Sequence, residues 1–201
     1  MNGLDTRALR LYDEAHGQRV AILAQAIAGQ MGMNEEDSER IGMTGLLHDM
    51  GKTRIPRTVL DKPGRLTEEE TATVRQHCQL GKEAIEALPS SRFPWLTPEL
   101  REMAAEVALL HHERLDGSGY YGRQVLSLPV RIVAVADVYD ALTHDRPYRR
   151  GWPPGVALDY LAQYALGNAP QFDLSVALAL HVCAKLPTIH LQQELNESNA
   201  G

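Results

Sequence analysis

Five places in the chain carry side chains able to bind a metal ion. His48-Asp49 closes an apolar stretch (Ile41, Met43, Leu46, Leu47) and is followed by Met50, Gly51 and Lys52. A histidine and an aspartate side by side at a helix end can reach one ion, and the carboxylate can bridge to a second. Lys52 would point a cation at the same spot. His111-His112 follows a second apolar stretch (Ala104, Val107, Ala108, Leu109, Leu110). Adjacent helical positions diverge by about 100°, so these two can serve one ion each or line one pocket from two sides. Asp137 lies between Arg131 and Leu142 with apolar neighbours on all faces. An ionised carboxylate is costly to bury there unless it is paired or holds a metal. Asp140, one turn on, is better placed to orient a ligand than to be one. His77 and His16 stand on predicted helices.

Each of these features alone also fits a plainer reading: a surface ion pair, a satisfied core histidine, a carboxylate with an arginine partner. Together they form a set of nitrogen and oxygen donors without thiolates, which suits iron, manganese or zinc. Two such ions about 3.5–4 Å apart can clamp a phosphate and activate water near neutral pH.

The elements that must position these residues read as mostly helical. Apolar residues recur at helical spacing from Asp5 to Met31 (Leu9, Tyr12, His16, Val20, Leu23, Ile27), with Gly32 as a stop. Asn34 caps a second helix reaching about Asp49, its first turn acidic (Glu35, Glu36, Asp37). Thr67 with Glu70 matches a capping box for a helix to about Leu88. Residues 89–98 are irregular, and Thr97 with Pro98 opens a helix ending near His112. A glycine-rich loop runs from Asp116 to Gly122. Pro129 to Thr143 is apolar enough for a buried helix or a strand, and periodicity does not decide between them. Two more helices are predicted around Val156–Leu166 and Asp173–Leu186. Residues 1–190 read as one domain and 191–201 as a mobile tail.

Composition narrows the class. The chain has 201 residues, 44% hydrophobic and 23% charged, enough for one sizeable core. A net charge of −6 argues against holding long nucleic acid. Two distant cysteines, Cys78 and Cys183, show no metal-type pairing, which favours a reducing cytoplasm over a disulfide framework. No signal-peptide core and no apolar run of about 18 residues is present, so no membrane association is expected.

The motifs taken in order resemble the HD-GYP branch of the HD phosphohydrolases over roughly residues 10–185. The matching segments are His16 to Val20, His48 to Lys52 with Ile55-Pro56 behind, Leu60 to Glu68, His77 to Gly81, His111 to Tyr120, and Asp137 to Arg149. The resemblance implies an all-α fold, a single helical domain with a metal site in the bundle core, and it makes Pro129–Thr143 a helix. It implies metal ligands His16, His48, Asp49, His77, His111, His112 and Asp137, with Asp49 bridging and Asp140 behind them. It implies two divalent ions, iron or manganese first and zinc also compatible. Asp49 and Lys52 would serve catalysis, with Lys52 beside the scissile phosphate. Arg146 and Arg149 would hold substrate phosphates, and Gly119 and Tyr120 would belong to a loop for substrate and protein partners. The implied activity is hydrolysis of cyclic di-GMP to pGpG, with or without a further cut to GMP. A non-catalytic metal- or dinucleotide-binding signalling module, or a phosphohydrolase of another nucleotide such as cyclic GMP-AMP, fits the same residues.

Two departures stand out. Tyr121 occupies the signature position where the family has proline, which frees a dihedral and restores a backbone donor. Tyr12 stands where some members carry a glutamate that supports a third ion. The chain reads as the catalytic unit alone. Regulation is expected from a signalling partner, from a homodimer, or from a region outside this chain.

Overall fold

The computed structural model describes Leu9, residues 11–145 and residues 149–185. Among them are eight α-helices and no strand: α1 (Glu14–Gln30), α2 (Glu35–Leu47), α3 (Arg57–Leu60), α4 (Glu68–Glu86), α5 (Pro98–Leu110), α6 (Leu128–Thr143), α7 (Pro154–Ala165) and α8 (Leu174–Cys183). A 3₁₀ segment, Met50–Arg54, joins α2 to α3. None of the described helices is long and apolar enough to cross a membrane. Arg146 and the tail 191–201 lie outside the described residues.

Local chemistry sets most boundaries. Asn34 accepts the Asp37 N–H at 2.8 Å, and Thr67 and Glu70 close a reciprocal capping box. Thr97 accepts the Leu100 N–H, with Pro98 in the first turn. The first helix is shorter than its apolar pattern suggests. The Asp13 carboxylate accepts the His16 N–H at 3.0 Å and starts α1 at Glu14. Tyr12 is therefore not on α1, and its hydroxyl donates to Asp61 instead.

α6 is the central element. It packs against α1, α2, α5, α7 and α8, and nine of its sixteen residues are buried. A helix covered on every side loses its polar face, which is why its sequence carries no decisive period. One apolar core joins α1 and α6 to α7 and α8 (Leu23, Ile27, Ile132, Val133, Leu161, Leu180). A second lies under α2, α4 and α5 (Leu47, Ile85, Leu96, Leu100), and it includes Phe93 and Leu96 from the irregular segment 89–98. The donor-bearing ends of α2 and α5 meet α1, α4 and α6 between these cores.

Gly51 allows the 3₁₀ segment to lie directly on α4. A Cβ there would sit 2.0 Å from the His77 carbonyl oxygen and 2.4 Å from the Gly81 nitrogen, both backbone atoms that cannot yield. That contact brings Asp49 beside His77. We expect Gly51→Ala to lower stability by about 2–4 kcal/mol, or roughly 5–15 °C in Tm. Gly155→Ala, where a Cβ meets nothing within 4 Å, should be neutral or slightly stabilising. Thermal melts of the two variants check the contrast, and equal melting temperatures would contradict it.

Candidate metal centre

His48 and His111 are the residues at the C-terminal ends of α2 and α5, His77 is inside α4, and His16 is in the first turn of α1. All four are buried. Three of them use one ring nitrogen in the same way. His48 Nδ1 lies 2.6 Å from the Gly45 carbonyl, His77 Nδ1 2.6 Å from that of Val74, and His111 Nδ1 3.1 Å from that of Ala108. A carbonyl only accepts, so Nδ1 carries the proton and Nε2 presents a lone pair. These lone pairs converge. His77 Nε2 and His111 Nε2 stand 3.3 Å apart, and His48 Nε2 has no hydrogen-bond partner.

Asp49 lies between the nitrogens. Its Oδ1 is 3.3 Å from His77 Nε2 and 3.7 Å from His111 Nε2. Its Oδ2 is 3.4 Å from His48 Nε2 and 3.7 Å from His16 Nε2, and it pairs with Lys52. Asp137 Oδ1 completes the second side, 3.2 Å from His16 Nε2 and 3.8 Å from His48 Nε2. Even with Lys52 on Oδ2, these buried, converging acceptors are short of positive charge, and Asp49 Oδ1 is itself buried without a hydrogen bond. The donor set fits divalent ions. The groups His16/His48/Asp49, His48/His111/Asp137 and His77/Cys78/His111/His112 each bring their donor atoms within 4.8 Å of one another.

The titration behaviour agrees with that deficit. Burial, reinforced by neighbouring His112 and His48, holds His111 well below its usual value. Burial brings His112 down to about 4, so both rings offer lone pairs at neutral pH. Burial opposes the charged form of Asp49 and Asp137, yet both stay well below the carboxylate range. Lys52 leads the groups that outweigh burial for Asp49, and His16 leads those for Asp137. Burial would also depress His16, but hydrogen bonds to Asp137 and Asp140 and the charge of Asp49 raise it to about 9.

The expected supporting role of Asp140 has a geometric basis. It is fully buried and lies 2.6 Å from His16 Nδ1. It also accepts from Arg19 at 2.7 and 3.0 Å, and His144 Nδ1 is 3.1 Å away. Sequence reading gave Arg19 no role. Its spacing of three residues from His16, on the same helix face, was the available signal.

The HD-domain family model matches residues 7–176. The chain belongs to the HD-domain family. It is 44% identical over 147 residues to the cyclic di-GMP phosphodiesterase response regulator RpfG of Xanthomonas campestris pv. campestris, covering 72% of this chain and 37% of that one. It is 42% identical over 137 residues to 3′3′-cGAMP-specific phosphodiesterase 1 of Vibrio cholerae, covering 67% and 30%. The chain thus spans about a third of the length of these curated relatives. Its fold is similar to the crystal structure of the HD domain of Listeria monocytogenes phosphodiesterase PgpH, with a TM-score of 0.62 at 19% identity, covering 88% of this chain and 92% of that one.

In this HD domain the signature loop is tied down by Glu113, which lies inside the matching segment His111 to Tyr120 and was given no role of its own. Glu113 is buried and accepts the backbone N–H of Tyr121 at 2.8 Å and of Arg123 at 2.6 Å. The first bond uses the donor that a proline at 121 would lack. Gly119 presses on the same residue, because a Cβ there would lie 2.4 Å from Glu113 Cα. The loop so held places the Tyr120 ring 4.6 Å from the His112 ring, with Arg75 over its face at 4.9 Å.

Lys52 also lines a cavity of about 670 Å³ with Tyr12, Asp13, Arg57, Lys62 and Asp145 among its walls, within the size range of small-molecule sites. Arg149 is engaged elsewhere. Its guanidinium donates to the carbonyls of Ala141 and Leu142 at the end of α6 and lies over Trp152. That structural use competes with the phosphate role implied for it. Cys78, assigned no role by the sequence pattern, lies with its Sγ 3.5 Å from His77 Nε2. Burial, and then the charge of Asp49, pushes its thiol up to about 12.

Two outcomes are expected. Asp49→Asn should lose most of its bound metal, because a neutral amide replaces a charged oxygen donor. Elemental analysis checks this, and full retention would remove Asp49 from the centre. Glu113→Ala should cost about 1–3 kcal/mol, seen in thermal melts, without changing metal content.

Proposed function

We propose that this chain is a metal-dependent phosphodiesterase that opens a cyclic dinucleotide, cyclic di-GMP first, to its linear form pGpG. The observation that carries the reading is the position of Asp49, whose two oxygens face two different sets of imidazole nitrogens within 3.3–3.7 Å. One carboxylate shared by two donor sets suits a pair of ions, and a paired-ion centre suits in-line displacement at phosphorus.

His16, His48, Asp137 and Asp49 would hold one ion, and His77, His111, His112 and Asp49 the other. When bound, such ions polarise phosphoryl oxygens and lower the pKa of water. The chain's own groups do the rest. Asp140, anchored by Arg19, holds the His16 ring in orientation. The backbone carbonyls behind His48, His77 and His111 keep their lone pairs pointed inward. Lys52, paired with Asp49 and lining the neighbouring cavity, puts an ammonium where charge builds on the phosphoryl group. Tyr12 donates to Asp61 rather than standing on α1, which supports two ions rather than three and a slow second cut to GMP.

Identity near 42% to a relative named for 3′3′-cGAMP favours that dinucleotide as the second reading. The test is anaerobic purification, metal analysis, and chromatography of products from both dinucleotides. Cyclic di-GMP should be converted to pGpG faster than 3′3′-cGAMP is opened. Lys52→Met should keep its metal and lose about 10²–10³-fold in kcat. Faster cleavage of 3′3′-cGAMP would reverse the substrate order. Cleavage of neither, with ions bound, would make the chain a binding module.

A further inference from the structure

Cys78 follows His77 on α4 and is fully buried. It belongs with His77, His111 and His112 to a group whose donor atoms all lie within 4.8 Å of one another. Two spacings inside this group match those of ligands around one ion. Bond lengths of about 2.05 Å to nitrogen and 2.3 Å to sulfur place two nitrogens about 3.3 Å apart, and a nitrogen and a sulfur about 3.5 Å apart, on a tetrahedron. His77 Nε2 and His111 Nε2 are 3.3 Å apart. His77 Nε2 and Asp49 Oδ1 are 3.3 Å apart, and Cys78 Sγ and His77 Nε2 are 3.5 Å apart.

We propose that Cys78 is a direct ligand of the ion held by His77, His111 and Asp49, taking the fourth place given above to His112, so that the two halves of the centre differ in kind. The half around His16, His48 and Asp137 offers nitrogen and oxygen, and the half around His77 adds sulfur. This rests on the metal-centre reading above. The simpler use of the thiol, an S–H···N bond to His77, leaves the centre as it stands, because the buried Asp49 Oδ1 facing His77 and the buried His48 Nε2 have no hydrogen-bond partner. A cation answers both, and a thiol proton answers neither. On coordination a sulfur–metal bond forms and the thiol proton leaves to solvent, with no change of oxidation state. A thiolate donor shifts this half toward zinc or ferrous iron and away from manganese. Cys183 provides an internal control, since its thiol donates to the Ala26 carbonyl at 3.3 Å.

The experiment is anaerobic loading of the full chain with Co(II), followed by absorption spectroscopy. Wild type and Cys183→Ala should show a near-ultraviolet thiolate-to-cobalt charge-transfer band. Cys78→Ser should lose that band, keep the visible ligand-field bands of the other donors, and weaken zinc binding by about tenfold or more. An unchanged near-ultraviolet spectrum in Cys78→Ser overturns the proposal. If that variant does not fold, X-ray absorption of zinc-loaded wild type decides: a sulfur scatterer at about 2.3 Å supports the ligand, and a shell of nitrogen and oxygen alone overturns it. Two bound ions with hydrolysis and no sulfur would overturn only the thiolate. Sulfur-bound metal without hydrolysis would overturn only the phosphodiesterase.

Discussion

The structure depends on a shortage of positive charge at its centre. His16, His48, His77 and His111 turn Nε2 toward one small volume that also receives the carboxylates of Asp49 and Asp137. Acceptors packed this closely repel one another, and burial removes the water that would screen them. Protons meet the shortage in part. His16 is raised to about 9 by the carboxylates around it, and Lys52 pairs with Asp49. The rest of the demand is what a divalent ion meets.

Holding such an arrangement requires rigid helix ends. A histidine at or near the end of a helix can turn Nδ1 back to a carbonyl of the preceding turn, as His48 and His111 do, and this fixes tautomer and direction in one contact. The approach of the 3₁₀ segment to α4 through Gly51 then fixes the distance between Asp49 and His77. The two apolar cores on either side supply stability that the charged centre does not. The same logic extends outward to the loop, where Glu113 gathers two backbone donors and seats Tyr120 against His112.

Much of the helical framework was legible. Caps at Asn34, Thr67 and Thr97 act through neighbours three residues away, so a local reading finds them. The start of α1 was less legible, because Leu9 and Tyr12 continue the apolar spacing of α1 while the His16 N–H, donating to the Asp13 carboxylate, starts the helix only after them. The strand-or-helix ambiguity of residues 129–143 had a tertiary cause, since α6 is covered by five other helices and so carries no polar face.

By itself the sequence determined which side chains were available for chemistry: histidines and aspartates in a fixed order, at ends of apolar stretches, with a lysine just after the first pair. The resemblance built on that order named the family. Tertiary structure alone decided which atoms meet. Arg19 and Asp140 are 121 residues apart and share two hydrogen bonds, Glu113 closes on a tyrosine eight residues on, and Arg149 turns to the carbonyls of α6. Cys78 shows the difference most clearly. No sequence spacing relates it to His111, because the contact arises from how α4 and α5 pack, and packing geometry is a property of the whole core rather than of any segment.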